Sequence, residues 1–163
     1  MPPLAEWQTF FAVQAGAAAT LTGLVFVAVS INLSRIMEIP HLPGRAVESL
    51  MQLLQVFFVA GAALVPGQSL TALAGEILGI GGVSWLLQTS GHIRYGRSRA
   101  GHPLWWLISR AVMSQVSTVP FLVAGILLAL RSPSGLYWLV PGVAFSFAAG
   151  VTSAWILLVE ILR

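Results

Sequence analysis

The sequence predicts an all-α integral membrane protein, a single domain over residues 1–163 built as a bundle of five transmembrane helices. Three observations predict it. The chain is 57% hydrophobic and only 8% charged, where a soluble domain carries roughly 25% charged residues. Its apolar runs are long enough for ~20-residue spans. The arginines segregate to one side of the threading those runs imply.

Take the runs in order. The first is Phe10 to Leu33, "FFAVQAGAAATLTGLVFVAVSINL", followed by the loop "SRIMEIPHLPGR" with its two prolines and two arginines. The second goes from about Ala46 to Val65. "PGQS" then interrupts, and a third continues from Ser69 to Gln88. An unbroken helix over 46–88 would be roughly 64 Å long, more than twice the hydrocarbon core, and Pro-Gly is a turn signal, so a tight helical hairpin is expected. "HIRYGRSRAGHP" closes the third helix. The fourth runs from about Leu104 to Leu130, "RSPSG" turns the chain, and the fifth runs from about Leu136 to Leu162. Pro120 cannot donate to the carbonyl of Val116, so a kink is expected there, with Ser117 and Thr118 at hand for the freed carbonyl.

Five crossings place Arg35, Arg45, Arg94, Arg97, Arg99 and Arg163 on one side and Arg131 on the other. The positive-inside rule makes the first side cytoplasmic, with the N-terminus outside and the C-terminus inside. Trp7, Tyr137 and Trp138 fall at the outer boundary, and Trp85, Tyr95, Trp105, Trp106 and Trp155 toward the inner one, as aromatic belts require. The N-terminus MPPLAEW lacks the positively charged stretch of a signal peptide, so no cleavable leader is expected.

Composition narrows the chemistry. All eight basic residues are Arg, all five acids are Glu, and Lys, Asp and Cys are absent. No thiolate nucleophile, disulfide or Ser-His-Asp triad can be built. His41, His92 and His102 read as loop residues without metal-ligand spacing, so neither a metal nor a cofactor is expected, and the chain reads as a non-enzyme. A net charge of +3 spread over short loops does not suit nucleic acid. The arginine loop "HIRYGRSR" can meet anionic lipid and already serves as a topology determinant.

Small residues mark packing faces, because close backbone approach drives helix association in lipid. The first helix has Ala12, Gly16, Ala19, Gly23 and Ser30 on one face; the third has Gly75, Gly79 and Gly82; the fifth has Gly142, Ser146, Ala149, Gly150 and Ser153. Packing within the bundle is the main expectation, a subunit interface the other.

Polar residues inside the spans are the candidate site. Glu76 lies roughly 12 Å from the outer end of its helix. A central acid costs ~2.5–3.5 kcal/mol on insertion scales and faces protein or a cavity, where burial would favour its neutral form. Two readings stand: a carboxyl hydrogen-bonded to another helix, or a proton or cation site. Toward the cytoplasmic side, Glu48, Gln52 and Gln55 share one face of the second helix; Arg110, Ser114 and Ser117 share one face of the fourth; Asn32 and Glu160 end the first and fifth spans. By helical rise Arg110 is about 10 Å inside the boundary and Glu48 about 5 Å, which allows an ion pair if their helices meet. The facing stripes are either a structural network or the lining of a cytoplasm-facing vestibule.

The segment "EWQTFFAVQAGAAATLTGLVFVAVSINL", with Glu6-Trp7, Gly16, Ala18, Leu21, Gly23, Leu24, Phe26, Val27, Ala28 and Ser30, resembles the start of an uncharacterised family of small bacterial multi-pass inner-membrane proteins. "LVPGQS" at Leu64 to Ser69 is similar to that family's second turn. The resemblance implies a bacterial inner-membrane location and brings no known activity. Two functions follow from the residues: an oligomeric channel or transporter-like protein for ions or small solutes, or a structural or regulatory subunit that binds another membrane protein. An enzyme acting on lipid lacks a catalytic pair, and no inverted repeat relates the two halves.

Overall fold

A computed structural model of the chain describes residues 4–39, 42–97 and 104–162. After a 3₁₀ turn, Leu4–Trp7, come α1 (Gln8–Ile31), α2 (Leu33–Glu38), α3 (Leu42–Ala63), α4 (Leu70–Arg97), α5 (Leu104–Ala129) and α6 (Gly135–Leu162). No strand occurs among the described residues. Five segments are long and apolar enough to cross a bilayer: Leu4–Ile31, Leu42–Ala63, Leu70–Arg94, Ile108–Ala129 and Gly135–Glu160.

Three boundaries differ from the sequence expectation. The loop after α1 holds a short helix, α2, and α3 begins at Leu42 rather than near Ala46, with Pro43 in its first turn, where a missing N–H costs nothing. α4 does not end at Gln88 but continues to Arg97, since "TSGHIRYGR" contains no proline. His92 is therefore a helical residue rather than a loop residue, while His41, His102, Arg99 and Arg163 lie outside the described residues. α5 stays helical through Pro120, and α6 through Pro141. Ser117 does not serve the carbonyl of Val116: its Oγ donates to Ser114 O at 2.9 Å, and Thr118 Oγ1 donates to Gln55 Oε1 at 3.4 Å.

The turns follow from local chemistry. Gly67 takes a left-handed φ of 69° in the α3–α4 hairpin, and Ser69 caps α4 by accepting the Ala72 N–H at 3.1 Å. α5 ends in a Schellman motif, with Ser132 N–H donating to Leu127 O at 2.8 Å and Arg131 N–H to Leu128 O at 2.9 Å. Arg131 occupies the left-handed position at φ 59°, where glycine is usual.

α3, α4, α5 and α6 form a ring in which each helix packs on the next and α6 closes on α3; α1 lies outside it, against α3 and the edge of α6. The ring interior is not uniform. Toward the Pro66 and Ser132 turns it is apolar, with Val59, Leu73, Ile77, Phe121, Leu128 and Leu139 buried in one cluster that Phe11 joins from α1. Trp7 meets Tyr137 edge to face at that end, with centroids 5.2 Å apart. Toward α2 and the start of α3 a smaller cluster of Ile36, Leu42, Ala46 and Leu157 closes the bundle. Polar side chains occupy the level between.

Only part of the predicted small-residue packing is made inside the chain. Gly142 sits under the Phe121 ring, where an added Cβ would meet ring carbons at 3.1 Å; at Gly150 it would come within 2.9 Å of Leu53 Cδ2. Ser146 is fully buried between them in sequence. Gly16, Gly23, Gly75 and Gly79 do not pack in the bundle: an added Cβ would meet nothing within 4 Å. The reason is angular. α1 buries the narrow stripe Phe11, Ala18 and Val25, and α4 turns Leu73, Ala74 and Ile77 inward. Gly16, Gly23, Gly75 and Gly79 fall on other faces, whereas Gly81 of α4 packs against Leu122 and Phe121.

Candidate functional site

The polar level is built by four helices. α3 contributes Gln52 and Gln55, α4 contributes Gln88, α5 contributes Ser114, Ser117 and Thr118, and α6 contributes Ser146, all of them buried. Gln52 Nε2 donates to Gln88 Oε1 at 2.6 Å, and Ser114 Oγ donates to the same oxygen at 2.7 Å. Gln55 Nε2 donates to Ser146 Oγ at 2.7 Å and to Gln52 Oε1 at 3.2 Å. Gln88 Nε2 reaches Thr118 Oγ1 at 3.3 Å, and Ser146 Oγ donates to Ser117 O at 3.3 Å. The amides cross-link the ring at a depth where unmet polar groups are costly. Nearby, Ser49 Oγ donates to Gly150 O at 2.8 Å, a contact that glycine permits by letting α3 approach the α6 backbone.

Ionisable groups sit above the amides, on the side of α2. Arg110 Nε donates to Glu48 Oε2. The pair is well covered, with side-chain exposures of 13% for Arg110 and 9% for Glu48. His92 Nε2 stands 3.6 Å from the other carboxylate oxygen, Glu48 Oε1, and is buried without a hydrogen-bond partner. These residues wall a cleft of about 450 Å³ between α3 and α4, whose lining includes Glu48, Met51, Gln88, His92, Arg94 and Arg110. A second cavity of about 170 Å³ lies on the other side of the ion pair, bordered by Arg45, Gln52, Ser109, Ser114 and Thr152. Glu48 and Arg110 line both, so the pair partitions them.

Of the candidates named from sequence, Glu48, Gln52, Gln55, Arg110 and Ser114 thus meet in one place. Asn32 does not join them: its Nδ2 donates to Ala28 O at 2.9 Å, where it ends α1 on the outside of the ring. Glu76 does not face the interior either. It is exposed, about 100° round α4 from the inward stripe, next to Gly75 and Gly79. Glu160, near the end of α6, is half-buried.

Three members were not expected from sequence: Gln88, His92 and Thr118. A signal existed. Ser84, Gln88 and His92 recur every four residues along α4, a polar line in an apolar span, and Ser84 and Gln88 are both buried. Ending the helix at Gln88 hid it. Among the described residues no group of three or more His, Asp or Glu side chains is placed to hold a metal ion.

Helices, turns and charge pattern together define the class: a multi-pass helical membrane protein with a polar site at one end of the ring. Comparison with protein-family models, with curated proteins and with solved structures gave no match.

Proposed function

We propose that the protein is a transporter-like membrane protein that takes a small polar solute into the cleft between α3 and α4 and works as a homo-oligomer. The observation that carries this reading is the cleft itself, about 450 Å³ within the span of two transmembrane helices and walled by Glu48, His92 and Arg110. Intramembrane ionisable groups that line a cavity are read by default as part of a substrate or ion path. Beyond the cleft lie the amide network and then the apolar plug of Ile77, Phe121 and Leu139, so access is from one side. We assign that side to the cytoplasm of a bacterial inner membrane, with the N-terminus outside. The support is the arginine asymmetry, Arg35, Arg45 and Arg94 at the cleft end against Arg131 at the other. The test is flux: purified protein in liposomes should carry at least one member of a panel of cations, anions, zwitterions and neutral polar solutes, and carry it more slowly as Glu48→Gln. Rates equal to those of protein-free liposomes across the panel overturn the reading.

A second reading, a subunit that binds another membrane protein, is favoured by the outward faces of α1 and α4. Gly16, Gly23, Gly75 and Gly79 leave open space there, and Glu76 stands exposed among them. A lipid-facing carboxyl costs ~2.5–3.5 kcal/mol at the bilayer centre, which a donor from an apposed helix would offset. The chain has no Cys, so Gly79→Cys is a clean crosslinking probe in native membranes. Self-adducts support the homo-oligomer, and reproducible adducts with a different membrane protein support the subunit reading.

A further inference from the structure

We propose that the α3–α4 cleft binds a small zwitterion with an apolar side chain, an amino acid or close analogue; this rests on the solute-carrying reading above and gives it a substrate class.

The acceptors come first. Glu48 Oε2 is taken by Arg110, while Oε1 stands 3.6 Å from His92 Nε2, with no hydrogen bond between them. The imidazole nitrogen is buried and unpartnered. A buried polar atom left so costs ~1–3 kcal/mol, and beside a carboxylate oxygen at a cavity wall it is satisfied by a group that donates to both. An ammonium has three N–H groups and the charge a carboxylate favours. One ammonium between the two atoms can donate to Oε1 and, in the tautomer that carries its proton on Nδ1, to His92 Nε2.

The wall also limits which ammonium can enter. Arg94 and Arg110 line the same cleft against one carboxylate, Glu48, so with a neutral imidazole its formal charge is two minus one, or +1. A bare cation is opposed by that surplus. A ligand that brings its own carboxylate is not, and Arg94, exposed at the rim, offers the planar guanidinium that grips carboxylates with two parallel hydrogen bonds. Val47, Met51 and Leu87 complete the wall with an apolar strip for the side chain. The cleft, at about 450 Å³, has the size of an ordinary small-ligand pocket.

Three ligands with one side chain test this: leucine, N-acetylleucine, which lacks the ammonium, and leucinamide, which lacks the carboxylate. Binding is measured by equilibrium dialysis on the purified full-length chain, beside liposome flux. Leucine should bind, and each blocked analogue should bind at least about tenfold more weakly. Arg94→Gln, at a rim position outside the buried network, should weaken leucine about tenfold and leave leucinamide unchanged. N-acetylleucine as tight as leucine overturns the ammonium subsite, leucinamide as tight overturns the carboxylate subsite, and failure of all three overturns the site. Leucine binding without flux of any solute in the panel keeps the site and overturns transport. Flux of another solute class without leucine binding does the reverse.

Discussion

Replacing Arg110 by Gln removes the guanidinium from a carboxylate that is 91% covered, since Glu48 keeps a side-chain exposure of 9%. His92 Nε2 stands 3.6 Å from its Oε1, too far for a hydrogen bond. Breaking a buried ion pair from one side costs about 3–5 kcal/mol, because the surviving charge stays desolvated. The cleft beside Glu48 admits some water, so the lower end, about 3 kcal/mol, is expected for Arg110→Gln. Glu48→Gln takes the carboxylate away from the guanidinium of Arg110 and should cost a similar ~3 kcal/mol. The double variant removes both charges of the pair and can form an amide–amide bond, so its cost should fall to about 1 kcal/mol. The two single losses would then exceed the double loss by about 5 kcal/mol, a coupling at the upper end of those measured between close charge pairs. Unfolding free energies from titration with a denaturing detergent, all four proteins in one micelle system, give the cycle. Strictly additive losses, or an Arg110→Gln protein as stable as the parent, would refute the ion pair as drawn here.

Two further outcomes check the packing and the turn. Gly150→Ala places a Cβ 2.9 Å from Leu53 Cδ2, and Leu53 is fully buried, so a loss of about 1–3 kcal/mol is expected, while Gly16→Ala meets nothing and should be neutral or gain up to ~1 kcal/mol; the same detergent titration on monomeric protein ranks them, and the reverse order would show that α1, not α6, makes the tight contact. Arg131→Gly relieves a left-handed φ of 59° in the Schellman turn and should raise the unfolding free energy by about 0.5–1 kcal/mol, read as a higher midpoint in the same assay.

Much of the fold was legible because lipid imposes one rule. Every span must hide its backbone polar groups in helical hydrogen bonds and carry about 20 apolar residues, so length and hydropathy count the crossings without knowledge of contacts. Pro66-Gly67 and "RSPSG" named the tight turns for the same local reason: proline and glycine act on their own dihedrals. Part of the candidate site was legible too. Glu48, Gln52 and Gln55 recur at helical spacing on α3, and depth alone matched Glu48 to Arg110. Helix ends were harder, since "TSGHIRYGR" is polar enough to leave the membrane and still helical.

By itself, then, the sequence determined the class, the number of crossings, the two hairpin turns and the polar residues that had to meet something. Which way each face turns was decided only in three dimensions. Glu76 and Gln88 lie on one helix and are comparably unwelcome in lipid, yet Gln88 closes the amide network while Glu76 faces outward. Gly16 and Gly150 are the same residue in similar apolar runs, yet one meets open space and the other a buried leucine. Periodicity tells which residues share a face. Only the placement of the neighbouring helices says which face is inside, because in lipid an apolar stripe is equally at home against a helix or against acyl chains.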